Sequence, residues 1–178
     1  MQHPIVSREE WNAARKALLA KEKQLTRQRD QLSAERRRLP WVKVDKTYVF
    51  DGPGGKVALA DLFDGRSQLV VQHFMFGPDW EEGCVGCSFG ADHVDSARQH
   101  FEQRDLSFVA ISRTKLAKIE AFKRRMGWRF PWLSSGRTSF NYDFGASFTP
   151  QQVKAGAKVF NYGQAPGFTD REGLSAFY

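Results

Sequence analysis

Two short apolar runs constrain the fold of this chain more than any other feature. They span 67–76 (SQLVVQHFMF) and 106–112 (LSFVAIS), and each is nearly continuous rather than alternating. Such runs are typical of central strands that are buried on both faces of a sheet. Between them, apolar residues recur at helical spacing on one face: Cys87, Gly90, Val94, Ala97 and Phe101. The β-α-β order predicts an α/β sheet with right-handed crossovers.

Weaker patterns on either side complete the predicted order of elements. Residues 41–59 predict a β-hairpin that turns at 51–55, and residues 114–126 predict an amphipathic helix. Residues 128–134 predict an edge or irregular strand, because Pro131 removes a ladder donor. Thr149 and Pro150 open a predicted short helix that reaches about residue 158, and residues 174–178 predict a last strand.

The N-terminal segment predicts one long basic helix. Ser7 and Glu10 form a capping-box pattern, and Leu39-Pro40 ends the helical pattern. Its large apolar residues are seven apart: Trp11, Leu18, Leu25, Leu32 and Leu39. Residues 8–38 carry +5 of the net charge of +7. We interpret residues 1–40 as an arm that lies on the domain of residues 41–178 or on a second subunit, giving a homodimer. Neither nucleic acid nor membrane is an expected partner, because charge runs on helices are usually solvated faces.

The bulk composition predicts a cytoplasmic protein. No signal-peptide pattern opens the sequence, and its longest apolar run is too short to span a bilayer. Two cysteines among 178 residues do not make the disulfide framework of a small secreted scaffold. Motifs for nucleotide binding and for hydrolase chemistry are absent from the sequence.

Those two cysteines, Cys84 and Cys87, lie where the first buried strand passes into the helix. Unpaired N–H groups at a helix start stabilise a thiolate, so Cys84 is the expected nucleophile. Cys87, one turn later on the core-facing stripe, is the expected resolving thiol. This interpretation makes the chain a dithiol–disulfide oxidoreductase that needs no prosthetic group and acts on a protein or small-molecule disulfide or thiol. Both cysteines could instead be inert core residues. A third interpretation is a non-enzymatic scaffold or interaction protein, in which the basic N-terminal helix carries the function. The sequence leaves open how Asp79, Glu81 and Glu82 affect the cysteines.

A metal site is the second chemical alternative. His93 and His73 could join Cys84 and Cys87 to hold zinc or copper, provided that both imidazoles turn towards the sulfurs. A single Cys-x-x-Cys leaves the fourth ligand undefined, so the redox interpretation is favoured.

Long blocks of the chain resemble a bacterial family known as domain of unknown function eight-nine-nine, whose members are described as thioredoxin-like. The resemblance covers most of residues 3–89 and the later blocks AISRTKLAKIEAFKRRMGWRFPW, FNYDFGASFTP and GLSAFY. It implies a three-layer α/β/α sandwich close to the peroxiredoxin branch, with the hairpin as an N-terminal addition. It also implies a C-terminal strand and helix beyond Tyr178, without which the sheet would expose apolar surface at one edge.

The same resemblance identifies where this chain departs from its better-known relatives. Thioredoxins place Trp directly before the Cys-x-x-Cys, whereas Gly83 stands here, so Trp80 and Pro78 in the preceding loop are the expected substrate contacts. The peroxiredoxin pattern Pro-x-x-x-Thr/Ser-x-x-Cys is absent, and the place of the thioredoxin cis-Pro reads Arg171-Glu172-Gly173. The missing peroxiredoxin pattern argues against a peroxidase, and the missing cis-Pro argues against substrate docking by the usual thioredoxin loop.

Overall fold

The computed structural model describes residues 3–178 and divides the chain into two compact units, Met1–Asp45 and Lys46–Tyr178. The sequence pattern placed this division between residues 40 and 41. The first unit contains one helix, α1 (Arg8–Arg37). The predicted capping box is confirmed: the Ser7 backbone N–H donates to Glu10 Oε2 at 2.9 Å, and the Glu10 N–H donates to Ser7 Oγ at 3.2 Å.

The second unit contains six strands and four helices. The strands are β1 (Val49–Gly52), β2 (Gly55–Ala58), β3 (Gln68–His73), β4 (Leu106–Ser112), β5 (Trp132–Ser134) and β6 (Gly173–Phe177). The helices are α2 (Val85–Glu102), α3 (Leu116–Met126), α4 (Phe140–Asp143) and α5 (Pro150–Lys154), and Leu59–Phe63 forms a 3-10 helix.

All six strands belong to one mixed sheet in the order β2-β1-β5-β4-β3-β6. The two apolar runs form β3 and β4, which pair in parallel and are joined by α2, as the β-α-β pattern predicted. β6 pairs antiparallel with β3, with Gly173 opposite His73 and Phe177 opposite Leu69. The end of β3, where α2 begins, therefore lies beside the start of β6.

Each face of the sheet carries its own hydrophobic core, because alternate residues of a strand point to opposite faces. On one face α2 and α3 cover an aromatic cluster that includes Phe74, Phe122 and Trp132. On the other face α4 and the 3-10 helix cover a cluster that includes Val71, Ile111 and Phe140. The result is the expected three-layer α/β/α arrangement, with short elements forming the second helical layer.

Three local predictions about the elements were wrong. β5 is an internal strand between β4 and β1, because Pro131 precedes it and uses only its carbonyl, which accepts from the Ala110 N–H at 2.9 Å. The hairpin strands occupy only residues 49–58, and α5 ends at Lys154. The sequence analysis did not anticipate α4, a single turn of four residues.

β6 lies at one edge of the sheet. Leu174 of β6 is 73% exposed.

Among the helices of residues 3–178, none combines the length and apolar character that crossing a bilayer requires.

Candidate functional site

Cys84 is the N-cap residue of α2. Its backbone is extended, with φ −58° and ψ 130°, and its N–H donates to the Met75 carbonyl at 3.0 Å. Its own carbonyl accepts from the backbone N–H and the hydroxyl of Ser88, each at 2.9 Å. These bonds hold the backbone of Cys84 between the end of the β3 segment and the first turn of α2.

The side chain of Cys84 takes the place of a capping oxygen. The Cys87 backbone N–H donates to Cys84 Sγ at 3.5 Å, which satisfies one of the amides left free at a helix start. Cys84 is partly buried, whereas Cys87 is only 5% exposed and lies in the aromatic core. Both cysteines are free thiols. The predicted contrast between an accessible and a sheltered sulfur is thus present in the geometry.

Cys87 is held in its protonated form. Burial raises the pKa of its thiol to about 12, against the opposing effect of a hydrogen bond from the Met75 backbone. The neighbouring Cys84 and the negative charge of Glu172 raise the pKa of Cys87 further. At neutral pH, Cys87 can act as a nucleophile only if another group accepts its proton.

Glu172 is a residue that the sequence analysis did not select, although it named the position as that of the thioredoxin cis-Pro. Glu172 directly precedes β6, whose first residue, Gly173, pairs with His73. No cis peptide bond occurs among the described residues. Glu172 keeps 56% of its side chain exposed and lies 3.5 Å from the Arg171 guanidinium. Its negative charge is the last of the causes that raise the pKa of the Cys87 thiol.

Gln72, a residue of β3, donates a hydrogen bond to the first turn of α2. Its Nε2 donates to the Cys87 carbonyl at 3.3 Å, and its Oε1 is buried without a hydrogen-bond partner among the described residues. A Cβ at Gly90 would lie 3.8 Å from the same Nε2, an ordinary van der Waals contact. Gln72 is thus a polar group in direct contact with the backbone of the Cys-x-x-Cys.

The loop before Cys84 places the two expected substrate contacts differently. Trp80 packs against the same aromatic core as Cys84, and its carbonyl accepts from Lys118 Nζ at 2.8 Å. Pro78 is exposed. Trp80 is therefore brought to the neighbourhood of the cysteines, and no contact ties Pro78 to them. Their roles in substrate binding stay predictions.

Cations of α3 hold two of the loop carboxylates that flank the cysteines. Glu82 Oε1 lies 2.7 Å from the Arg125 guanidinium, and Glu81 Oε1 lies 3.6 Å from Lys118 Nζ. Both pairs have exposed carboxylates, so they contribute little to stability. They nevertheless partly neutralise the negative charge that the sequence places before Cys84.

The structure does not bring the four residues of the metal alternative close to one another. His73 lies on the opposite face of the sheet from α2, where its Nε2 is 2.8 Å from Ser175 Oγ and its ring stacks on Phe140. Burial lowers the pKa of His73 to about 4, which keeps the imidazole neutral. His93 is exposed, with its Nδ1 2.7 Å from the Phe89 carbonyl. Within residues 3–178, no three His, Cys, Asp or Glu side chains are placed to hold a metal ion together.

A buried ion pair, which the sequence did not predict, joins the segment after β4 to the segment before β6. Arg113 follows β4 and binds both carboxylate oxygens of Asp170, from Nε and from an Nη, at 2.6 Å each. The Asp170 side chain is 5% exposed and also accepts from Ser147 Oγ. A Cβ at Gly77 would lie 2.9 Å from the same carboxylate, so the loop that carries Trp80 packs directly on the pair.

Comparison with known proteins agrees with the family expected from the sequence. A family model described as bacterial protein of unknown function (DUF899) matches residues 1–178. The chain belongs to this family. No curated protein matches the sequence. The function of this DUF899 chain therefore has to be argued from its own residues.

Solved structures show the fold of this DUF899 chain. It is similar to the peroxidoxin BcpB of Mycobacterium tuberculosis, at 18% identity and a TM-score of 0.51, over 60% of this chain and 66% of that one. A cysteine-to-serine mutant of Xylella fastidiosa PrxQ matches at 15% identity and a TM-score of 0.50, over 65% of this chain and 74% of that one. The chain thus spans slightly less than two thirds of the first of these proteins. The fold is thioredoxin-like, which confirms the predicted class.

Proposed function

We propose that this protein is a dithiol–disulfide oxidoreductase in which Cys84 is the nucleophile and Cys87 the resolving thiol. One observation carries the proposal: a partly exposed thiol at the N-cap of α2 accepts a hydrogen bond from the backbone of a buried thiol one turn later. Cys84 is the more exposed of the two residues, and the backbone N of Cys87 lies 3.5 Å from Cys84 Sγ, which supports Cys84 as the first thiol to react and Cys87 as its resolving partner.

The proposed reaction exchanges two electrons in two steps. The Cys84 thiolate attacks one sulfur of a substrate disulfide, forms a mixed disulfide and releases the other sulfur as a thiolate. The Cys87 thiolate then attacks Cys84 Sγ, forms the Cys84–Cys87 disulfide and releases the second substrate thiolate. The substrate is reduced by two electrons and the protein is oxidised by two. An external dithiol reductant returns the protein to its starting state.

The second step requires a base, because burial keeps Cys87 protonated. Glu172 is the candidate for this role, since its charge acts on the Cys87 thiol and its side chain remains in contact with solvent. It would accept the Cys87 proton as the thiolate forms and pass it to water. Glu172→Gln is expected to slow resolution while leaving the first attack unchanged.

The proposal is tested by following thiol exchange with a chromogenic aromatic disulfide. Cys84→Ser keeps an N-cap oxygen for α2, so it is expected to fold while the rate of exchange falls by about a hundredfold or more. Cys87→Ser is expected to react once and to accumulate the mixed disulfide at Cys84, visible by mass spectrometry. An unchanged rate in the folded Cys84→Ser variant would show that the proposal is wrong.

A further inference from the structure

The N-terminal helix carries a line of apolar side chains that α1 itself leaves uncovered. Over 30 residues, no residue of α1 is buried. Four of the large residues spaced by seven lie in α1 and are about half exposed: Trp11 50%, Leu18 52%, Leu25 48% and Leu32 46%. Leu39 continues the spacing two residues past the end of α1 and is 64% exposed. The line is one residue wide, and its regular repeat along an exposed helix is typical of a surface that packs against another helix.

The spacing of this line specifies the shape of the partner. A repeat of seven residues drifts by only about 20° per two turns of an ideal helix, so the line stays on one side along the length of α1. A second helix packed at a small crossing angle follows such a line, whereas a flat sheet or an irregular surface does not. The surface therefore fits a partner helix of similar length.

The charges at the two ends of α1 specify the orientation of that helix. The first turn holds Arg8, Glu9 and Glu10, a net charge of −1, whereas Glu35, Arg36 and Arg37 of the last turn with Arg38 at the C-cap give a net charge of +2. An antiparallel second copy brings the acidic end of each helix to the basic end of the other, at both ends of the pair. A parallel copy would instead bring two arginine clusters together.

The apolar line also pairs with itself when a second copy of α1 runs in the opposite direction. With Leu25 opposite Leu25 of the second copy, Leu18 faces Leu32 and Trp11 faces Leu39. This alignment places Glu10 within one helical turn of Arg38 of the second copy. The line is only one residue wide, and it is flanked by Arg15, Arg29 and Arg36, whose aliphatic stems can widen the apolar contact.

We propose that α1 pairs antiparallel with α1 of a second copy of this chain, with a two-fold axis at Leu25. This proposal uses no residue of the cysteine site. A negative result for dimerisation therefore leaves the proposed reaction untested, and a negative result for the reaction leaves the dimer untested.

The mass of the full chain in solution gives the first test. Sedimentation equilibrium is expected to return twice the chain mass of 20.3 kDa for the wild type. Leu25→Lys places two ammonium groups against each other at the axis and is expected to raise the dimer dissociation constant by about tenfold or more. Leu19→Lys is the matched control, since Leu19 is also exposed but lies off the line, and it should leave the constant unchanged. A monomeric wild type, or equal effects of the two substitutions, would overturn the proposal.

Disulfide cross-linking tests the orientation. In a Cys84→Ser/Cys87→Ser background, Leu25→Cys is expected to cross-link to its own copy. Leu18→Cys and Leu32→Cys should cross-link only when the two variants are mixed. Self-cross-linking at all three positions would reveal a parallel pair and overturn the antiparallel assignment. If no position cross-links, another partner or another surface of the chain covers the line, and the proposal is wrong.

Discussion

The ionisation of Cys87 links the chemistry of the site to the stability of the fold. Its pKa is raised from 9.0 to about 12 in the folded protein, so folded Cys87 keeps its proton where the unfolded chain has lost it. The stabilising effect is complete below pH 9 and is lost as the pH rises towards 12. Under reducing conditions, the free energy of unfolding is expected to fall by roughly 2 to 4 kcal/mol over this range.

Urea unfolding of the wild type and Cys87→Ala measures this effect. Tyr48 also has its pKa raised to about 12, by burial and by its hydrogen bond to Asp143, so it adds a slope of the same sign. The difference between the two proteins removes that contribution. Parallel curves between pH 9 and 12 would show that Cys87 does not titrate abnormally.

Two glycines beside Cys84 provide a matched pair of substitutions. A Cβ at Gly83 would lie 2.7 Å from the ring of Phe74, which is only 2% exposed and cannot move aside. Gly83→Ala is therefore expected to destabilise the protein by about 1 to 3 kcal/mol. At Gly86 the nearest atom is Cys84 Sγ at 3.9 Å, so Gly86→Ala is expected to be neutral or to stabilise by up to about 1 kcal/mol.

Thermal unfolding of the two variants tests this contrast. Gly83→Ala should also change the rate at which Cys84 reacts with an alkylating agent, because the residue precedes the N-cap. An equal loss of stability in both variants would mean that the aromatic core does not constrain the approach to α2 as described.

Among contacts between elements, the Arg113–Asp170 pair is expected to matter most for stability. It joins the end of β4 to the segment before β6, and its hydrogen bonds raise the pKa of Arg113. Asp170→Asn leaves a largely buried guanidinium without its counter-charge, at an expected cost of about 3 to 5 kcal/mol. Glu82→Gln breaks the exposed pair with Arg125 and serves as the control, with an expected change within about 1 kcal/mol.

Chemical denaturation of the two variants measures both changes. A double variant, Arg113→Met/Asp170→Leu, is expected to recover much of the loss, because no buried charge is left unpaired. A loss in Asp170→Asn no larger than that in Glu82→Gln would contradict the importance given to the buried pair.

The elements also show which parts of the fold could be predicted. β3, β4 and α2 were predictable because each carries a periodic pattern that its own burial imposes. The sequence predicts β5 at an edge because Pro131 has no N–H to donate to a neighbouring strand, but in the structure Pro131 lies just before the strand. The helix α4 is too short to show a periodic pattern. Arg113 and Asp170 lie 57 residues apart, and no local signal connects them.

At the scale of the whole chain, the sequence predicted the position of the two cysteines but not which distant residues lie near them. The sequence placed Cys84 and Cys87 at the junction of strand and helix, where the structure has them. It could not identify Glu172, because no local pattern connects a residue just before β6 with the thiol of Cys87. The metal alternative includes His73 and His93 because a sequence does not show which face of a sheet or of a helix a side chain occupies.

The redox equilibrium of the two cysteines tests the central claim most directly. Wild-type protein is equilibrated in glutathione buffers of graded potential, alkylated, and analysed by mass spectrometry for free thiols and for disulfides. The account predicts one two-electron transition in which Cys84 and Cys87 lose their thiols together and form an intramolecular disulfide. Protein that keeps both thiols at every potential, or that ends as a stable glutathione adduct at Cys84 with Cys87 free, would contradict it.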